Sequence, residues 1–173
     1  MTLYEAIQYL KYKWKAKGRH GTHSPFVYAF IEEVLMNAKS REALMKNIKH
    51  YFQFREILEC AKTQDGMLTF LPASIGNLPE DSPRQRSILK GFNRLYIFKP
   101  ETTNPLIFKE LLLQMKAEDV LLIMPLYTTK DHNSQWEVIK NDQKVRLSMD
   151  LFDMGLLFFR EEFKEKQAFA LKY

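Results

Sequence analysis

The spacing of hydrophobic positions changes once along the chain. In its first third, apolar residues recur every three or four positions, which is typical of amphipathic helices. This spacing predicts a helix over residues 2–17 and one or two helices over residues 40–62. Between them, Ser24 as N-cap and Pro25 in the first turn predict another helix start. We therefore expect residues 1–65 to form a helical segment that packs on the rest of one compact domain.

After residue 66, short apolar runs alternate with helical segments. The predicted strands are residues 66–71, 94–98, 119–126, 144–152 and 155–160, with the tail 167–173 as one more. The predicted helices are residues 84–92, 104–115 and 131–141. Alternating strands and helices imply a mostly parallel sheet, whereas the two adjacent strands near the end should form an antiparallel hairpin. We expect an α/β core over residues 66–173 with about five or six strands.

Length and cysteine content limit the class of protein. A chain of 173 residues suits a single domain. Cys60 is the only cysteine, so an intramolecular disulfide is excluded and a reducing compartment is favoured. No apolar run approaches the roughly 18 residues of a spanning helix, and the first residues lack the pattern of a signal peptide. We expect a soluble cytoplasmic protein without a transmembrane segment.

Most of the net charge of +5 lies near the N-terminus, where Glu5 is the only acidic residue among the first thirty. The basic residues there are Lys11, Lys13, Lys15, Lys17 and Arg19. Such a helix could bind nucleic acid or an anionic membrane surface. The alternative is a solvated lysine face beside a stripe that packs in the core. That stripe consists of Leu3, Ile7, Leu10 and Trp14.

Two histidines precede the Ser24–Pro25 helix start in the stretch "GRHGTHSPFV". His20 and His23 are three residues apart and have neither an acidic neighbour nor a third imidazole. We therefore predict no metal site, and interpret the stretch as a glycine turn before a capped helix.

The same N-terminal stretch and the C-terminal "DLFDMGLLFFR" resemble the two ends of a family of bacterial, Bacteroidetes-type class I S-adenosylmethionine-dependent methyltransferases of O-methyltransferase-like fold. A parallel α/β sheet that ends in an antiparallel strand pair is also the layout of that class. The resemblance implies a Rossmann-like sheet preceded by helices, with S-adenosylmethionine bound at the carboxyl ends of the strands.

The cofactor loop departs from the family. There, the first strand ends in an acidic residue and a glycine-rich turn of the type E-x-G-x-x-x-G, which lets backbone N–H groups approach the cofactor. We match this strand to "MLTFLPASIGN", where Thr69 replaces the acid, Leu71 and Pro72 occupy the turn, and Gly76 is the only nearby glycine. The loop is predicted to be degenerate, and no cofactor is expected.

The other strand ends also lack the acidic residues of the family. Lys99 stands at the end of the second matched strand, and Met124 with Pro125 at the end of the third. Residues 72–93 are too few for the two strand–helix units that normally bind ribose and adenine. The candidates for a ligand contact are Tyr127 and His132, which follow the central strand at the end where α/β folds bind ligands.

These observations predict a methyltransferase-like protein that is degenerate in cofactor binding and acts as a non-catalytic binding or structural protein. One alternative is an active S-adenosylmethionine-dependent O-methyltransferase with an atypical cofactor loop. A second is a binder of nucleic acid or anionic surfaces through the basic N-terminal helix. Loss of strands would leave the strand at 66–71 on an edge of the sheet, where a second copy could pair to form a homodimer.

Overall fold

The computed structural model describes residues 1–18, 23–63, 67–73, 92–100 and 105–172. Their helices are α1 (Leu3–Lys15), α2 (Pro25–Phe30), α3 (Arg41–Phe52), α4 (Pro105–Gln114) and α5 (Lys130–Lys140), and α2 continues as a π-helical turn over Ile31–Leu35. Their strands are β1 (Glu56–Lys62), β2 (Leu68–Pro72), β3 (Arg94–Phe98), β4 (Asp119–Ile123), β5 (Leu147–Asp150), β6 (Gly155–Phe158) and β7 (Gln167–Ala170). Residues 84–91 of the predicted helix at 84–92 lie outside the described residues.

The strands form one mixed sheet in the order β2-β1-β3-β4-β6-β5-β7, so the chain has an α/β fold. The centre β1-β3-β4 is parallel. The parallel pairing of β3 with β4 confirms the prediction from the alternation of strands and helices, whereas β1 is an additional strand. The predicted C-terminal hairpin is confirmed, because β5 and β6 pair antiparallel. β7 then pairs parallel to β5, which confirms the tail as a strand.

The prediction of helix over residues 40–62 is wrong in its second half, because α3 ends at Phe52 and residues 56–62 are strand β1. Gln53 ends the helix in the left-handed conformation with φ of 51°. Glu, Leu, Ala and Lys favour helices in isolation, but β1 gains backbone pairing on both sides, from β2 and from β3. The sheet therefore begins before residue 66, and the described residues contribute seven strands rather than five or six.

The match of "MLTFL" to the first parallel strand is also wrong. Thr69, Leu71 and Pro72 lie on β2, which runs antiparallel to β1 and is the last strand on its side of the described sheet. Gly76 lies outside the described residues. The first parallel strand is instead β1. Among the described residues β2 lies at an edge of the sheet, as predicted, and pairing of that edge with a second copy stays a prediction.

Two apolar layers cover the two faces of the sheet. On one face α2 and α3 pack on Leu95, Leu122 and Phe158, and on the other α4 and α5 pack on Leu121 and Leu157. Neighbouring residues of a strand belong to opposite layers, as the alternation of side chains requires. Burying both faces explains why β4 consists almost wholly of apolar residues.

Helix α1 lies beside β7 and buries a different face from the one we predicted. The Tyr12 hydroxyl donates to the Leu171 carbonyl, and the Lys17 N–H donates to the Ala170 carbonyl at 2.7 Å. Tyr12 is buried, whereas the predicted core stripe is exposed, with Trp14 92% accessible. The other members of this exposed stripe are Leu3, Ile7 and Leu10.

Helix α2 begins at Pro25, as predicted, with proline in its first turn. The Ser24 side chain makes no capping hydrogen bond, so the fixed φ of proline rather than the serine hydroxyl marks this start.

Candidate functional site

A cleft of about 420 Å³ lies between α1 and α5. Its floor is formed by β5 and β7. Tyr127, in the segment that follows β4, also lines the cleft. We call it the α1–α5 cleft. It is lined by Gln8, Lys11, Tyr12, Lys15, Lys17, Tyr127, Asn133, Trp136, Glu137, Lys140, Ser148, Asp150, Ala168, Phe169 and Ala170.

Small side chains keep the floor open. Ser148 pairs with Ala168 and Asp150 pairs with Ala170, so all four point to the same face of the sheet. Three of them carry no more than one heavy atom beyond Cβ, which leaves space where larger residues would fill the layer between sheet and helices.

Tyr127 and Asp150 form a hydrogen-bonded pair at the edge of this floor. The Tyr127 hydroxyl donates to Asp150 Oδ2, and the Phe152 N–H donates to Oδ1 at 2.9 Å. Phe152 has φ of 66°, a left-handed conformation that is uncommon outside glycine. The carboxylate therefore orders both the tyrosine and the turn between β5 and β6.

Burial controls the ionisation of this pair. It raises the pKa of Asp150, and hydrogen bonds from Tyr127 and Phe152 oppose that shift. Burial, followed by the charge of Asp150, raises the pKa of Tyr127 far above its ordinary value. Tyr127 therefore remains a hydrogen-bond donor throughout the physiological range.

An aromatic cluster connects α1 to this turn. The Phe152 ring stacks on Tyr127 with centroids 5.3 Å apart, and it meets Tyr9 edge-on at 5.0 Å and Tyr12 at 5.4 Å. Such pairs contribute beyond their buried area. The cluster fixes α1 over the cleft through its tyrosine face, so the opposite face with the exposed stripe points outward.

The lysines give the cleft a positive character. Lys140 is paired with Glu137 at 2.5 Å. Among the described residues, no carboxylate lies within 4.0 Å of Lys11, Lys15 or Lys17. Of the five basic residues predicted to bind an anion, these three line the cleft. Lys13 instead lies over the Tyr9 ring at 5.3 Å, and Arg19 is outside the described residues.

The carboxyl ends of β1 and β3 lie apart from the α1–α5 cleft and carry an ion pair and a hairpin. Glu59 Oε1 pairs with Lys99 Nζ at 2.5 Å. The Thr63 N–H donates to the Met67 carbonyl at 2.9 Å, which closes β1 and β2 into a hairpin. Cys60 is partly buried on β1, and burial raises the pKa of its thiol to about 12. This thiol is therefore protonated and a poor nucleophile.

No protein family, curated protein or solved structure matches the chain. The resemblance to class I methyltransferases therefore remains a prediction that rests on the sequence.

The structure gives the two predicted ligand contacts different surroundings. Tyr127 lines the cleft, whereas His132 lies in the first turn of α5. The Nδ1 of His132 is 2.5 Å from Thr128 Oγ1, and its backbone N–H donates to Thr129 Oγ1 at 3.1 Å. His132 therefore contacts the residues that precede α5 and does not line the cleft.

The described residues contain neither a membrane-spanning helix nor a cluster of metal ligands. None of the helices there is both long and apolar enough to cross a bilayer. No group of three or more acidic, histidine or cysteine side chains in the same residues is arranged to hold a metal ion. His23 is exposed, and His20 is outside the described residues.

Sequence reasoning missed Asp150, the partly buried carboxylate of the site. It ends β5, which pairs antiparallel with β6, and β6 pairs antiparallel with β4. β5 therefore runs in the same direction as β3 and β4, and Asp150 lies at the end of the sheet where those strands also end. An acidic residue at the end of a strand otherwise made of Leu147, Ser148 and Met149 was the available signal.

Proposed function

We propose that this chain is a methyltransferase-like α/β protein that has lost S-adenosylmethionine chemistry and acts as a non-catalytic binding protein. The main observation that supports this proposal is the hairpin formed by β1 and β2. Residues 63–67 are all that separate β1 from β2, so no helix follows the first parallel strand. A class I cofactor site needs a glycine-rich turn leading into a helix at that point, because the backbone N–H groups of the turn approach the cofactor.

The residues at the end of β1 also support this proposal. The family pattern E-x-G-x-x-x-G, placed on β1, matches Glu59 as its acid but has Ala61 and Asp65 where the glycines should be. The carboxylate of Glu59 is already neutralised by Lys99. An acid engaged in this way is a poor acceptor for a cofactor group.

The alternative is an active methyltransferase with an atypical cofactor loop. Glu59 favours it, since an acid near the end of the first parallel strand is part of the family pattern. In that case the Glu59–Lys99 pair would open when the cofactor binds.

The two can be separated by thermal unfolding and calorimetry with S-adenosylmethionine and S-adenosylhomocysteine. We expect no heat of binding and an unchanged melting temperature at millimolar cofactor. A ligand at about 100 times its Kd would add about 2.7 kcal/mol of stability, which corresponds to roughly 5–10 °C for a chain of this size. Stoichiometric micromolar binding that is lost in Glu59→Gln would establish the alternative instead.

The exposed stripe of α1 favours a second candidate, an anionic membrane surface. Leu3 and Leu10 are 80% and 68% accessible, and Trp14 is 92% accessible. At 3.6 residues per turn, Lys11 and Lys15 lie on one side of this stripe and Lys13 on the other. Apolar residues flanked by lysines suit a helix lying at the lipid headgroups, whereas nucleic acid would leave the stripe without a partner.

Tryptophan fluorescence can test this candidate, because the other tryptophan, Trp136, is only 1% accessible. With phosphatidylserine-containing vesicles we expect a blue shift from Trp14, weaker at high salt and absent with neutral vesicles. Each lysine near such a surface contributes about 1 kcal/mol, so replacing Lys11, Lys13 and Lys15 by glutamine should weaken binding on the order of 100-fold.

Leu10→Glu provides the test of the stripe itself, and Leu113→Glu, at an exposed apolar position of α4, is its matched control. We expect vesicle binding to be lost in the first and kept in the second. Equal binding by both variants would contradict the candidate.

A further inference from the structure

We propose that the α1–α5 cleft binds a small organic phosphate, whose charged group is held by Lys11, Lys15 and Lys17. This site lies apart from the carboxyl ends of β1 and β3, so it does not depend on whether S-adenosylmethionine is bound there.

The size of the cleft suits a small molecule. Its volume of about 420 Å³ falls within the range of about 300–1,000 Å³ that is usual for ligand pockets. The small residues on β5 and β7 create this space between two walls of larger side chains.

The charges of the residues that line the cleft favour an anionic ligand. Four lysines and two carboxylates line the cleft, so positive charge is in excess. Lys140 pairs with the carboxylate of Glu137, and the second carboxylate, Asp150, accepts hydrogen bonds from Tyr127 and Phe152. Three ammonium groups then remain without a carboxylate partner among the described residues of the cleft. A phosphate monoester carries about 1.5–2 negative charges at neutral pH and offers three acceptor oxygens, so it suits this group better than a single carboxylate.

The remaining lining suits the body of such a ligand. Gln8 on α1 and Asn133 on α5 both line the cleft and supply amide donors and acceptors for hydroxyl groups. Trp136 adds an apolar wall.

Calorimetry with adenosine monophosphate, adenosine and inorganic phosphate tests both parts of the site. We expect one molecule of the monophosphate to bind per chain, with adenosine and inorganic phosphate each at least about tenfold weaker. Equal binding of inorganic phosphate would overturn the organic part of the ligand, and no binding of the monophosphate would overturn the site.

The lysines offer a matched set of variants on one helix. Lys11→Gln with Lys15→Gln should weaken monophosphate binding by about tenfold or more, whereas Lys13→Gln, outside the cleft, should leave it unchanged. Equal losses would mean that only the net charge of α1 matters, and the site would be rejected.

Ala168→Leu tests the space while all lysines remain. Ala168 is exposed on β7, so the variant should fold, and its larger side chain should abolish binding by filling the floor. Leu10→Glu should keep full monophosphate binding, which separates the cleft from vesicle binding through the exposed stripe. Unaltered affinity in Ala168→Leu would contradict the proposed location.

Discussion

Replacing Gly155 by alanine is expected to lower the free energy of unfolding by about 1–3 kcal/mol. An alanine Cβ at this position would lie 2.5 Å from two ring carbons of Trp136 and 3.0 Å from a third. Trp136 is 1% accessible and packs in the apolar layer on α5, so the added methyl group would meet a rigid ring rather than the end of a flexible side chain. The melting temperature should fall by about 2–4 °C for each kcal/mol.

Gly18→Ala is the matched control, since nothing lies within 4 Å of a Cβ built there. Its effect should stay within about 0.5 kcal/mol. Trp136→Phe leaves a cavity by itself, but it should reduce the loss caused by Gly155→Ala because it removes the opposing ring atoms. If Gly155→Ala were equally destabilising in both backgrounds, the contact with Trp136 would not be its cause.

The sequence predicted those strands whose two faces are both buried. β3 occupies residues 94–98, the range expected from its apolar run, and β4 begins where predicted, at Asp119. Such runs depend little on the rest of the fold, because any α/β sheet buries both faces of its central strands. The antiparallel hairpin followed from the few residues between β5 and β6.

β1 was missed because its local preference and its tertiary environment disagree. Its residues Glu56–Lys62 favour a helix when read alone, and pairing with β2 and β3 overrides that preference. If β1 is read as a helix, the strand at 68–72 becomes the first strand of the sheet, and the family's cofactor loop is then expected after residue 71 instead of after β1. Because β1 is not predicted as a strand, the family pattern is aligned with residues 67–77 instead of with β1.

The period of α1 predicted a helix but not which of its faces is buried. Leu3, Leu10 and Trp14 form one apolar stripe, while Tyr9 and Tyr12 lie on the opposite side. The tyrosine side is buried because it meets Phe152 in the turn after β5, a contact between residues far apart in the chain. Residue spacing alone carries no information about such a partner.

The candidate site was predictable only in part, for the same reason. Tyr127 is predictable because it follows β4 at the end where α/β folds bind ligands, and the lysines are predictable because Lys11, Lys13, Lys15 and Lys17 lie so close together in the sequence. Their meeting in one cleft depends on α1 lying beside β7, far away in sequence. Asp150 was missed because a single acid after a short strand is common.

Tyr127→Phe is expected to lower the free energy of unfolding by about 1.5–3 kcal/mol, the usual range for a hydrogen bond to a charged group. The variant keeps the ring that stacks on Phe152 and removes only the hydroxyl that donates to Asp150. Urea unfolding at neutral pH measures the loss. Tyr4→Phe, whose hydroxyl makes no hydrogen bond to the described residues, is the control and should change little.

Asp150→Asn should largely cancel the effect of Tyr127→Phe. The amide oxygen can still accept from the Phe152 N–H, and no carboxylate is then left without its donor. A double-mutant cycle should give a coupling of about 0.5–3 kcal/mol. Additive losses would show that the hydroxyl stabilises something other than Asp150.

The same pair predicts a pH dependence with a defined sign. Burial raises the pKa of Asp150 in the folded protein above that of an aspartate in the unfolded chain. At a pH between these two pKa values, Asp150 is mostly protonated when the protein is folded and mostly ionised when it is unfolded. Stability contributed by Asp150 is therefore present at low pH and falls as the pH rises through that window. Subtracting the pH profile of Asp150→Asn from that of the wild type isolates this term. In Tyr127→Phe this range of pH should extend to higher values, because the hydrogen bond that opposes the rise in the pKa of Asp150 is gone. An unchanged range would exclude Tyr127 as the donor to Asp150.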